Sequence, residues 1–107
     1  CAAFATDRTE VLIGDATNPD DTAWLRAQTW DLIVDDGSHQ FPDQQATLEL
    51  LAPSLAAGGC YIIEDVPWDP QRILDVEALL AGQGWGHVGV LRSEAHEHAA
   101  VVARARP

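Results

Sequence analysis

The stretch DLIVDDGSHQFPDQQATLELLAPSLAAGGCYIIEDV, residues 31–66, decides the fold. Three consecutive apolar, β-favouring residues, Leu32-Ile33-Val34, are bounded by acids and stopped by Gly37, the pattern of a buried strand. Pro42 suits the first turn of a helix, where its missing N–H is no loss. Ala46, Leu48, Leu50, Leu51 and Leu55 supply an apolar stripe, with Pro53 kinking or splitting the segment. Gly58-Gly59 closes the helix, since glycine accepts a left-handed conformation at a helix C-terminus. Cys60 to Ile63 is a second apolar strand, closed by Glu64-Asp65. Strand, helix and strand in this order predict two parallel neighbours.

The same alternation continues outward. Downstream, residues 70–83 read as a helix with Ile73, Val76, Leu79 and Leu80 on one face. Two strands follow, His87 to Leu91 and Ala99 to Ala103, joined by a polar stretch that holds Glu94, His96, Glu97 and His98 and reads as a solvated hairpin tip. Gly82-x-Gly84-x-Gly86 is a turn between helix and strand. Upstream, Val11-Leu12-Ile13 is a short strand stopped by Gly14, and Asp20 or Asp21 caps a helix through Gln28 with Trp24 and Leu25 facing inward. The expectation is an α/β domain with a mostly parallel sheet, helices on both faces and a C-terminal antiparallel β-hairpin.

Composition bounds the function. At 107 residues the chain is one domain at most, and its apolar fraction of 47% is that of a globular protein. Seventeen acidic against six basic residues give a net charge of −11, which argues against nucleic acid or an anionic membrane as partner. No apolar stretch reaches the roughly 18 residues of a membrane span, and the first ten residues lack the basic-then-apolar pattern of a secretion signal. A cytoplasmic location is expected by elimination. Cys1 and Cys60 form neither a disulfide framework nor a paired metal motif, so Cys60 reads as a buried, reduced thiol.

In an open parallel sheet, ligands bind beyond the carboxyl ends of the strands. Asp15 follows the first strand, Asp35, Asp36 and His39 the second, and Glu64 and Asp65 the third. Adjacent strands lie only about 4.8 Å apart, so the tips of DLIVDDGSH and CYIIEDV bring several carboxylates to one point. Clustered carboxylates repel, and a hard divalent cation relieves that repulsion. His39, three residues beyond Asp36, is placed to accept a proton near neutral pH. Trp68 is placed to line a sugar-binding surface or to pack.

These motifs resemble the metal-dependent class I O-methyltransferases that act on macrolide-antibiotic sugars, the mycinamicin/macrocin group. The resemblance rests on DDGSH at 35–39, PSLAAGG at 53–59 and IED at 63–65, about a third of the chain. It implies a partial Rossmann-like methyltransferase fold with sheet order 3-2-1-4-5-7-6, in which residues 1–107 are the C-terminal portion of one domain and supply strands three to seven. It implies S-adenosylmethionine and Mg²⁺ as cofactors, with Asp36, Glu64 and Asp65 as metal ligands and His39 as general base. Asp15 matches the acid that contacts the cofactor adenine, and Asp35 is its companion in cofactor binding. The implied partner is a small hydroxylated molecule, a sugar or a glycosylated natural product. The metal would acidify a substrate hydroxyl, His39 would take its proton, and the oxygen would attack the S-methyl carbon in line. Assembly into a homo-oligomer is compatible with this picture.

The resemblance places the family's first strand, its glycine-rich cofactor loop and the acid of its second strand upstream of Cys1, and no Gly-x-Gly loop precedes the first strand here. The parent protein is therefore expected to be active and this polypeptide alone inactive. The Val11 strand is expected to lack its native neighbours and so to fray or to pair elsewhere. Two alternatives stand beside the leading reading: an enzyme of the cephalosporin-hydroxylase and rhamnosyl-methyltransferase group, and a non-catalytic fragment.

Overall fold

The computed structural model describes residues 7–92 and 98–107. Its elements run α1 (Ala23–Arg26), β1 (Trp30–Asp35), α2 (Phe41–Leu51), a 3₁₀ turn (Ala52–Ser54), β2 (Leu55–Pro67), α3 (Pro70–Ala81), β3 (His87–Arg92) and β4 (His98–Arg104). The four strands form one sheet in the order β1-β2-β4-β3. β1 pairs parallel with β2, while β4 pairs antiparallel with both β2 and β3. This order matches the 4-5-7-6 half of the expected sheet, but the sheet is mixed rather than mostly parallel. The cause is β4, which returns after β3 and takes an edge from each of its neighbours.

Register shows which face holds the core. Ile33 pairs with Tyr61, Tyr61 with Ala103 and Ala103 with Val88, while Ile63, Val101 and Val90 form the next row. Tyr61, Ile63, Val101 and Ala103 are fully buried, in one cluster with Leu48 and Leu51 of α2 and Ile73, Val76 and Leu80 of α3. Both helices therefore lie on the same face. That departs from the expected coverage of both faces, and crossover handedness explains it. β1 to β2 and β2 to β3 step the same way along the sheet, and right-handed crossovers that step the same way bring their helices to the same side. On the other face Leu32, Val34 and Leu91 remain 55%, 46% and 66% exposed.

Several local expectations are corrected. Residues 10–13 form no strand, and Ile13 is 92% exposed, because no strand among the described residues offers this segment its hydrogen bonds. The helix expected through Gln28 is a single turn, and Trp24 is exposed rather than inward, its ring tilted against Trp30. α2 ends at Leu51, where Pro53 enforces the 3₁₀ turn. Gly58-Gly59 therefore lies inside β2, not at a helix end, and Leu55 begins that strand. Glycine is required at 59 all the same, since a Cβ there would stand 2.9 Å from the backbone oxygens of Asp31 and Ala56. Cys60 is a free thiol but only half-buried, because it faces the uncovered side. Glu94, His96 and Glu97 lie outside the described residues.

α3 follows its expected pattern, with Asp69 capping the helix by accepting the Gln71 N–H. α2 does not, because it buries Gln44, Thr47, Leu48 and Leu51, so its inner face is polar at the end nearest the strand tips. Leu48→Ala is expected to cost about 2–5 kcal/mol in urea denaturation, whereas Leu32→Ala on the open face should change stability by less than about 0.5 kcal/mol.

Candidate active site

The β1–β2 register sets Asp35 opposite Ile63, so the residues after each strand leave the sheet side by side. On β2 the pairing with β4 then slips, from Ile63 opposite Val101 to Val66 opposite Ala99. Three steps on β2 against two on β4 make a β-bulge at Glu64-Asp65, which bends the strand and re-aims its side chains. Ile63 and Val66 both enter the core although three positions separate them, and the two acids between them are left to serve the tip.

Asp36, His39 and Asp65 each bring one ligand atom within 4.8 Å of the others, forming the candidate metal site among the described residues. His39 Nε2 lies 3.9 Å from Asp36 Oδ1 and 3.7 Å from Asp65 Oδ2, beyond hydrogen-bond length but near enough to share one ligand. Asp36 and Asp65 are half-exposed, so the group opens to solvent. Glu64 is not in this cluster; it lines, with Asp65, Leu91, Arg92 and His98, an adjoining open cavity of about 520 Å³. Trp68 stands near that cavity with the Arg92 guanidinium 3.8 Å from its ring centre.

Backbone strain marks the same place. Only two non-glycine residues have positive φ among the described residues, His39 at 63° and Asp65 at 52°, and both belong to the cluster. A left-handed conformation costs a non-glycine residue on the order of 1–3 kcal/mol and persists where its surroundings enforce it. At His39 they do so from several sides. The Asp35 carboxylate accepts the Gly37 N–H at 3.0 Å, the Ser38 hydroxyl donates to Asp43, and Arg72 donates to the His39 carbonyl.

Asp15 and Asp35 line a second cavity, of about 420 Å³, together with Thr17, Ser38, Gln44 and Thr47. The two residues expected to serve the cofactor are thus brought together. Asp15 Oδ1 accepts from both the N–H and the hydroxyl of Thr17, and these bonds hold its carboxyl below the usual range. Asp35 is shifted upward, chiefly because it is removed from water; its Oδ2 is buried and unpartnered. Tyr61, whose hydroxyl is likewise buried and unpartnered, is pushed far above the ordinary phenol range by burial and then by the Asp35 charge.

Sequence reading missed Gln44, Tyr61 and Arg72. For Gln44 a signal existed: Gln44, Thr47, Leu48 and Leu51 keep helical spacing, but a leucine-weighted stripe hides a face that begins with an amide.

No family model matches the chain. Over 65 residues, 56% of the chain, it is 37% identical to the 8-demethyl-8-(2-methoxy-alpha-L-rhamnosyl)-tetracenomycin-C 3'-O-methyltransferase of Streptomyces olivaceus, of which it covers 16%. The MycE methyltransferase of the mycinamycin pathway, solved with Mg, SAH and mycinamycin VI, superposes with a TM-score of 0.72 at 21% identity. That match covers 99% of this chain and 34% of MycE. The chain has the fold of an O-methyltransferase. An O-methyltransferase family protein from Burkholderia thailandensis agrees, with a TM-score of 0.70 at 12% identity over 92% of this chain and 36% of that one. The chain thus spans about a third of the length of these structures. No described helix is long and apolar enough to cross a membrane.

The upward shift of Asp35 carries a sign. Its folded form prefers the neutral acid, so the contribution of this group is favourable at low pH and is lost as pH rises through the folded pKa. Asp35→Asn keeps the oxygen that accepts from Gly37 and removes the charge. In urea denaturation the variant should be more stable than the unaltered chain at neutral pH, and its advantage should vanish in acid.

Proposed function

We propose that this chain is the metal- and acceptor-binding part of an S-adenosylmethionine-dependent O-methyltransferase whose substrate is a hydroxyl of a small molecule, a sugar or a glycosylated natural product. One observation carries the reading: two carboxylates and an imidazole converge at the tips of two adjacent parallel strands, in a chain similar to enzymes of this chemistry.

The donors suit a hard divalent cation. Mg²⁺ takes oxygen ligands and is held by one or two carboxylates, keeping other positions for water or substrate. Asp36 and Asp65 would hold it, with Glu64 next along the bulge as a third acid. When bound, the ion supplies positive charge that acidifies a neighbouring hydroxyl and orients it.

The protein does the rest. His39 Nε2 faces the acid pair, so this nitrogen would take the proton of the acceptor hydroxyl, while Nδ1 lies on the buried side. The exposed cavity beside Glu64, with the Trp68 ring and Arg92 near it, is the acceptor surface in this reading. Asp15 and Asp35, in the neighbouring cavity, would meet the adenosyl portion of the methyl donor.

The presence of an imidazole among the donors favours one second reading, in which a softer transition ion takes His39 as a ligand rather than leaving it as a base. A single titration separates the two. Mg²⁺ and Zn²⁺ are added in turn while Trp68 fluorescence and calorimetric heat are followed. Saturable Mg²⁺ binding that falls at least about tenfold in Asp36→Asn and Asp65→Asn, yet survives in His39→Ala, supports the proposal. Binding lost in His39→Ala and tighter for Zn²⁺ supports the second reading, and no saturable response to either ion rejects both.

A further inference from the structure

The carbonyl of His39 lies one residue before the first backbone acceptor of α2, since the Gln44 N–H bonds to the Gln40 carbonyl. The helix therefore makes no use of it. Arg72, reaching over from α3, fills that role: its Nη2 donates to the His39 carbonyl at 2.6 Å and to Gln44 Oε1 at 3.0 Å. Gln44 is only 3% exposed, so the guanidinium is fixed at a buried acceptor on α2. The Phe41 ring lies 5.7 Å from its central carbon and adds a cation–π contact. One planar cation thus bridges the first turn of α2 to the peptide of a residue held at a φ of 63°.

We propose that Arg72 is a positioning residue for His39. Its bond to the carbonyl selects the left-handed peptide, and that peptide turns Nε2 toward Asp36 and Asp65. Released from Arg72, His39 relaxes to an extended or right-handed backbone, and its ring swings away from the acids while the strands stay in place. Both bonds leave one nitrogen, Nη2, so a single end of the guanidinium ties the His39 carbonyl to the Gln44 amide oxygen. This assignment rests on the reading of His39 and the acid pair as one site.

The test is made on the isotope-labelled chain by NMR, with Mn²⁺ as the probe. Two signals of His39 are compared between the unaltered chain and Arg72→Met, which keeps the apolar stem: the Cα and Cβ shifts, which report backbone conformation, and Mn²⁺ broadening of the imidazole protons, which reports nearness to the acids. The expected result is that His39 shifts leave the left-handed range and its broadening is lost. The Val66 amide, beside Asp65, should still broaden, and the β2 and β4 cross-peaks should not move. Unchanged His39 shifts and broadening in Arg72→Met overturn the proposal. Should that variant fail to fold, Arg72→Gln, polar but too short to reach the carbonyl, takes its place with the same two outcomes. If Mn²⁺ broadens nothing near Asp36 or Asp65 in the unaltered chain, the metal reading fails, and the His39 shifts alone decide the role of Arg72.

Discussion

The parallel pairing of β1 with β2 is the constraint on which the rest depends. Because Asp35 stands opposite Ile63, two short acidic segments leave the sheet at the same level and side by side. A slip of one residue would turn every side chain of β1 to the other face and carry the Asp35 carboxylate out of its cavity. The fully buried row of Tyr61 and Ile63, packed under α2 and α3, penalises such a slip. The site is thus precise because the core beneath it is apolar and closely filled.

Within that frame the chain departs from ideal backbone where chemistry is concentrated. The bulge at Glu64-Asp65 and the left-handed peptides of His39 and Asp65 are unfavourable taken alone. They coincide with the three groups that could share a cation. The compensations come from outside the site: Arg72 on α3, the Ser38–Asp43 bond at the start of α2, and the Asp35 turn around Gly37. Uncompensated polar atoms also gather here, on Asp35, His39, Tyr61 and Arg72. Buried groups without partners are rare in folded proteins, and their collection around one site is what a ligand-binding region would show.

The two faces of the sheet differ for a topological reason. Both crossovers carry their helices to one side, and the other side presents half-exposed Leu32 and Val34. Val11, Leu12 and Ile13, apolar residues of strand type, stay irregular and exposed, with no strand among the described residues to pair with.

Much of this was legible in the residues. Apolar runs located β1, β2, β3 and β4, helical spacing located α3, and the acids at the ends of β1 and β2 marked the edge where Asp36, His39 and Asp65 converge. These are local signals, fixed by side-chain periodicity and by the short reach of the backbone. Three things were decided only in three dimensions. The mixed sheet and single covered face follow from where β4 inserts, which no local pattern encodes. The separation of Glu64 from Asp36, His39 and Asp65 follows from a bulge, which arises from mismatch between two strands rather than from either alone. The clamp of Arg72 on His39 joins residues 33 positions apart, and an arginine on a helix looks the same in sequence whether it faces water or holds a peptide. Sequence set which groups reach the tip; pairing and packing set the angle at which each of them meets the others.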